Sequence, residues 1–202
     1  MRKLLIYLAF LQTPCLAYSQ FGIKAGLNFA NVSNASSINS SSRSGFNIGV
    51  LMGAGGKSIV SSRSELIFSR QGYDYTTGTN SGNVNLDYIQ FGQLMAVNIT
   101  KYFSVMGGLH TAYLLNAKVD STQNGNTNGN APGIMSMFNR FDYGLGLAAE
   151  VHPFKGILVG ARYNISLNKL YESVQTGQRP SFSSEDAKNN VVQVYLGYRI
   201  GK

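Results

Sequence analysis

Residues 156–167 alternate almost without error: Ile157, Val159, Ala161, Tyr163, Ile165 and Leu167 are apolar, and Gly160, Arg162, Asn164 and Ser166 stand between them. A period of two is strand geometry, because successive side chains leave a pleated backbone on opposite faces. The rhythm recurs about eight times along the chain, with lipophilic side chains on one face and glycine or polar groups on the other. Strands of this kind meet two different solvents.

The opening residues bear on which solvents these are. Arg2 and Lys3 precede an apolar run over residues 4–11, and Ala17 and Ser19 supply small residues before a cut. That is the layout of a cleavable signal peptide over residues 1–19, leaving one domain at residues 20–202. The run is well short of the ~20 residues that a spanning helix needs. Cys15 follows Gln12, Thr13 and Pro14, which do not form the small-residue box of a lipidation site. It is expected to leave with the signal, so no disulfide or thiolate metal site is expected. No later segment approaches a spanning helix, and a membrane-crossing chain must then be a closed barrel in which every backbone group finds a partner. The net charge of +8 falls to +6 without Arg2 and Lys3. The basic residues are scattered and form no nucleic-acid recognition motif, but they suit a surface beside anionic lipopolysaccharide.

The alternation predicts strands near residues 21–29, 46–53, 59–71, 84–98, 103–113, 140–151, 157–167 and 192–200. The fourth is the least regular, with Gln93 among outward apolar residues, and a bulge is expected there. Short turns at 55–58, 98–101 and 152–155 alternate with polar stretches at 31–43, 73–83, 116–137 and 168–188, which read as long loops. Short turns on one side and long loops on the other are the asymmetry of periplasmic and extracellular ends. The fold expected is all-β, an eight-stranded antiparallel up-and-down transmembrane β-barrel in the outer membrane, with both termini in the periplasm.

The strings FGIKAGLNFANVS, ELIFSRQGYDY, LDYIQFGQLMAVNITKYF and VVQVYLGYRIGK, in this order and spacing, resemble the PorT-like outer-membrane β-barrel family of Bacteroidetes over nearly the whole mature chain. The resemblance implies an eight-stranded outer-membrane barrel; its members are mostly of unassigned function, and the founding protein is implicated in type IX secretion. Gly92 stands where the family often has proline, and Ile200-Gly201-Lys202 where it has a terminal aromatic.

An eight-stranded barrel is just wide enough for side chains to fill. Lys24, Glu65, Arg140, Asp142, Glu150, Arg162 and Arg199 are expected to face inward and to need partners. Arg162 with Glu65 would form one layer, and Glu150, Arg199 and Lys24 a lower one. Such a network reads as a structural plug or, alternatively, as a gate or proton path. His110 and Thr111 alternate to opposite faces and cannot form a nucleophile and base pair, and His152 reads as a solvated turn residue. Tyr73, Tyr75, Tyr88, Tyr102, Phe103, Tyr113, Phe138, Phe141, Phe154 and Tyr198 read in part as an interfacial girdle. The functional expectation is a monomeric, non-enzymatic envelope component, adhesin, or assembly or secretion partner, without cofactor or metal. Its partners would be outer-membrane lipid and lipopolysaccharide, the barrel-assembly machinery during insertion, and a protein met through the loops. The alternatives are a lipid-modifying enzyme and a soluble lipocalin-like ligand-binding barrel.

Overall fold

The computed structural model describes residues 19–33, 39–54, 58–77, 80–123, 126–128, 134–171 and 187–200. Residues 1–18 of the expected signal peptide, the turn at 55–57 and most of the last predicted loop lie outside the described residues. Eight long strands carry the fold: β1 (Ser19–Ser33), β2 (Asn39–Ala54), β3 (Val60–Thr77), β4 (Asn80–Asn98), β5 (Phe103–Gln123), β7 (Phe141–Val151), β8 (Ile157–Ser166) and β9 (Lys188–Ile200). A short β6 (Asn126–Asn128) folds back on the end of β5. Neighbours pair antiparallel in the order β4-β3-β2-β1-β9-β8-β7-β5, and the β4–β5 pairing closes the ring. First and last strands meet along a continuous ladder from Phe21↔Ile200 to Ser33↔Lys188. Closure leaves no open strand edge among these eight, which is the condition for crossing hydrocarbon with strands.

Sidedness follows the alternation. In β8, Leu158, Gly160, Arg162, Asn164 and Ser166 are buried, while Val159, Ala161, Tyr163 and Leu167 are exposed. The exposed apolar residues form a belt around the outside, including Leu27, Ile48, Leu66, Met95, Leu109, Leu145 and Leu196. A soluble ligand-binding barrel would bury that set, so the lipocalin-like alternative does not describe this molecule. Gln93, the irregular residue of β4, keeps its place in the outward row. Its amide donates to Ser62 Oγ at 2.8 Å and accepts from Ser64 Oγ at 2.6 Å, which satisfies it on an apolar face. The bulge lies higher, at Asp87/Tyr88, and the extra residue is Leu115 on β5.

Three of the four predicted long loops are largely strand. β3, β4 and β5 run 18, 19 and 21 residues against 11 and 10 in β7 and β8. Residues 73–77 pair with 80–84, residues 116–122 pair with β4, and 31–33 and 39–43 belong to β1 and β2. In these extensions the alternation reverses its sense. Tyr73 and Tyr75 of β3 and Val84, Leu86 and Tyr88 of β4 are buried inward, while Asp74, Thr76, Asn85 and Asn83 point out. Above the bilayer water lies outside, so the apolar row must turn in, as in any soluble sheet. Phe138, Leu170, Tyr171 and Ala187 come in from the connecting segments and complete an apolar cap over the upper lumen. The hydroxyls of Tyr73 and Tyr171 meet inside it, and the Phe138 and Tyr171 rings lie 5.0 Å apart. Tyr73, Tyr75, Tyr88 and Phe138 are therefore core residues of the cap and not girdle residues. Tyr102, Tyr113, Phe141, Phe154 and Tyr198 are exposed on the outer surface, as a girdle requires.

At the boundary between the two regimes, Arg70 and Asp87 face each other across β3 and β4 on the outer surface, with Nε to Oδ1 at 2.6 Å and Nη2 to Oδ2 at 3.1 Å. Arg70 also lies over the Phe46 ring. The hydrogen bonds from Arg70 hold the Asp87 carboxyl below its ordinary value. A depressed carboxyl contributes stability above its unfolded value, near pH ~3.9, and loses it as pH falls through the folded value. Because Arg70 is half exposed, the contribution is expected below about 1 kcal/mol. Acid titration of wild type against Asp87→Asn should show the two converging below that pH; a gap that widens on acidification would contradict the assignment.

Candidate functional site

The lower lumen is occupied by a charge cluster that draws on five strands. Glu65, on the inward row of β3, accepts from Lys24 Nζ of β1 at 2.5 Å and from Arg162 Nη2 of β8 at 2.6 Å. Two residues below it on β3, Arg63 makes a two-armed contact with Glu150 of β7, its Nη2 lying 2.9 Å from Oε2, and its Nη1 also stands 3.6 Å from Glu65 Oε1. Tyr195 of β9 donates its hydroxyl to Glu150 Oε1 at 2.9 Å, and its ring lies 4.2 Å from the Lys24 ammonium. Arg199, also of β9, approaches Glu150 Oε2 at 3.5 Å. The two carboxylates and the Lys24 head are fully buried, and the Arg63 and Arg162 side chains nearly so.

The glycines around this cluster are its clearance. A Cβ at Gly160 would stand 2.7 Å from Glu150 Cγ and from the Tyr195 hydroxyl. At Gly92 the nearest atoms are Arg162 Nη1 at 3.8 Å and Glu65 Cβ at 4.0 Å, so that position faces the pair directly. A buried ion pair recovers its desolvation cost only when the geometry is good and further hydrogen bonds are made; the two-armed Arg63 contact and the Tyr195 hydroxyl supply these at Glu150, whereas Glu65 Oε1 and Arg162 Nε have no hydrogen-bond partner among the described residues.

Of the residues expected in the lumen, Lys24, Glu65, Glu150, Arg162 and Arg199 are brought together. Their layering differs from expectation: Lys24 sits on Glu65 beside Arg162 and does not belong to a lower layer with Glu150 and Arg199. Asp142 lies apart, near the cap, where it accepts from Ser166 Oγ at 2.5 Å. Arg140 precedes β7 and is exposed, because the strand begins one residue later at Phe141 and the inward row starts with Asp142. Arg63 was not anticipated. It shares the parity of Glu65, two residues away, and that parity was the available signal.

His110 is buried facing Gly144, whereas Thr111 lies on the other face of β5. His152 packs at the lower rim with Nε2 3.2 Å from Ser104 Oγ. The cluster holds cations against carboxylates, fills the lower lumen and ties β1, β3, β7, β8 and β9 to one another.

The molecule is thus a closed eight-strand ring with an apolar exterior, a charged lower lumen and short turns at one end. The family model for the outer membrane protein beta-barrel domain matches residues 10–172. The chain belongs to this family. Its place is therefore the outer membrane, and in barrels of this kind short turns are the mark of the periplasmic end. Among solved structures, Ail, the attachment invasion locus protein of Yersinia pestis, superposes with a TM-score of 0.50 at 15% identity, covering 90% of this chain and 99% of Ail. Neisserial surface protein A superposes with a TM-score of 0.50 at 13% identity, covering 89% of this chain and 97% of that one. At such identities the likeness speaks for the fold of this barrel. A comparison with curated proteins finds no match.

Proposed function

We propose that this barrel is a non-catalytic envelope protein that presents its extended β3–β4–β5 rim to a partner outside the membrane, as an adhesin or as an assembly or secretion partner. The observation that carries this reading is the rim itself. Its strands continue as a hydrogen-bonded sheet past the shorter β7 and β8, and the apolar cap beneath it fixes its shape. Rigid, pre-ordered surfaces lose less entropy on binding than mobile loops do. The outer face of the rim is polar, with Asp74, Asn83, Asn85, Lys118 and Asp120 directed away from the cap. The resemblance to the PorT-like family supports the secretion-partner form of this reading, and the plugged lower lumen favours a surface role over diffusive transport.

Cross-linking and capture from intact cells tests it. Wild type should capture a surface partner. A variant with Asp74, Asn85 and Lys118 replaced by alanine should lose that partner while keeping the heat-modifiable gel mobility of a folded barrel. Undiminished capture would remove the rim from the function. A changed lipid profile in extracts of expressing cells would favour the lipid-modifying enzyme instead.

A further inference from the structure

The periplasmic mouth opens into a cavity of about 480 Å³ walled by the turns after β4 and β7 and by the end of β9. Lys101, Lys155 and Arg199 line it together with His152, and none of the described residues that line it carries a side-chain carboxylate. Charge counting in the lumen above gives this wall its meaning. Among the described residues, Lys24, Arg63, Arg162 and Arg199 share only Glu65 and Glu150. Glu65 is taken up by Lys24 and Arg162; Glu150 is taken up by both arms of Arg63 and by the Tyr195 hydroxyl. Arg199 reaches Glu150 only at 3.5 Å, on the oxygen that already holds Arg63 Nη2 at 2.9 Å. Four cations against two carboxylates leave two positive charges in excess among these residues, and the Arg199 guanidinium, the most weakly held of the four, stands where the network meets the cavity. A weakly paired cation on the wall of a cavity attracts an anion, and a guanidinium fork matches the oxygens of phosphate.

We propose that the periplasmic mouth is a binding site for a phosphate-bearing anion, held by Arg199 and flanked by Lys101 and Lys155. The wall that carries these residues is braced. Asn98 Nδ2 donates to the Ser58 carbonyl at 2.7 Å and Asn98 Oδ1 accepts from Ser104 Oγ at 2.6 Å. The Arg199 amide donates to the Gly156 carbonyl at 2.7 Å, in a turn where Gly156 takes a φ of 85° that side chains with a Cβ rarely adopt. The volume lies within the range of small-ligand pockets, roughly 300–1,000 Å³. The exposed rings of Tyr102 and Phe154 border the cavity at the end of the belt, the level at which headgroups lie. Phosphate can thus arrive free in the periplasm or on a phospholipid of the inner leaflet.

The test follows the nitrogen-labelled barrel by NMR in a phosphate-free maltoside detergent while inorganic phosphate replaces chloride at constant ionic strength. Saturable shifts are expected at the Arg199 guanidinium and at the amides of residues 98–104, of His152 and of residues 154–157. Arg199→Gln and the pair Lys101→Gln/Lys155→Gln should each weaken the apparent affinity about tenfold, in line with losing charge-assisted contacts. The lysine pair is exposed and reads the site even where Arg199→Gln does not fold. Nanodiscs separate the sources. Shifts already present in phosphatidylglycerol discs, absent in glycosyl-diacylglycerol discs and unmoved by added phosphate identify the headgroup; a response to added phosphate in both identifies the free anion. Equal shifts with chloride alone, or titrations unchanged in the lysine pair, overturn the proposal.

Discussion

Glu65→Ala should destabilise the barrel by about 3–5 kcal/mol, and removing Arg162 in the same chain should recover part of that loss. The carboxylate holds Lys24 and Arg162 by hydrogen bonds at 2.5 and 2.6 Å, with Arg63 at 3.6 Å, all of them out of contact with bulk water. Deleting it leaves those cations facing one another across the lower lumen, where a lone charge stays desolvated. Deleting Arg162 as well removes one of the stranded charges but leaves Lys24 and Arg63, so recovery should be partial. Urea unfolding of wild type, both single variants and the double variant in vesicles yields the coupling energy. Strict additivity would show that the two side chains do not share an interaction. Addition of Lys24→Met to the double variant should recover more, since it removes a second unpaired cation.

Ala161→Arg should destabilise by about 2–4 kcal/mol, the cost of a cation on the lipid face near mid-membrane. Ala161 points outward from β8 between Ala149 of β7 and Val194 of β9, so an arginine there has neither a carboxylate nor the lumen within reach. The matching control lies on the other side of the reversal in β3. Thr76→Arg is also outward and exposed, but it meets water and should change stability by no more than about 0.5 kcal/mol. Equal effects at the two positions would mean that the bilayer boundary does not fall between the two regimes of alternation. Gly160 is a poor control, since any side chain there collides with Glu150 and Tyr195 whichever solvent surrounds the barrel.

The membrane-spanning part of this fold was legible because lipid outside and a filled lumen inside impose a two-residue period, and each predicted strand overruns its observed counterpart by at most one residue. The extensions were read as loops because they lack lipophilic residues on the outward parity. Yet Tyr73-Asp74-Tyr75-Thr76 alternates cleanly in the opposite sense, as Val84-Asn85-Leu86-Asp87-Tyr88 does at the start of the predicted fourth strand. The same period was present with its faces exchanged, and the exchange point marks where hydrocarbon ends. Residues 116–122 were harder, since the Leu115 bulge shifts the parity of β5 midway and breaks the pattern on both sides. For the charge cluster, parity named the candidates but not their partners. That Lys24 rather than Arg199 sits on Glu65 depends on the stagger between strands that are far apart in sequence, and no local spacing contains it.

The charge cluster also has a bearing on how the chain comes together in the bilayer. Glu65 and Arg63 lie in the first half of the chain, Glu150, Arg162 and Arg199 in the second, and Lys24 on the strand that meets β9 at the seam. A sheet of the first four strands, inserted alone, would carry Lys24, Arg63 and Glu65 on one face without Glu150, Arg162 or the Tyr195 hydroxyl. An opened ring exposes that face to acyl chains or to trapped water, and the ions find their partners only as the seam zips. Partial barrels are thereby disfavoured relative to both the uninserted chain and the finished cylinder, so that the last pairing event, β1 with β9, becomes the one that commits the whole assembly.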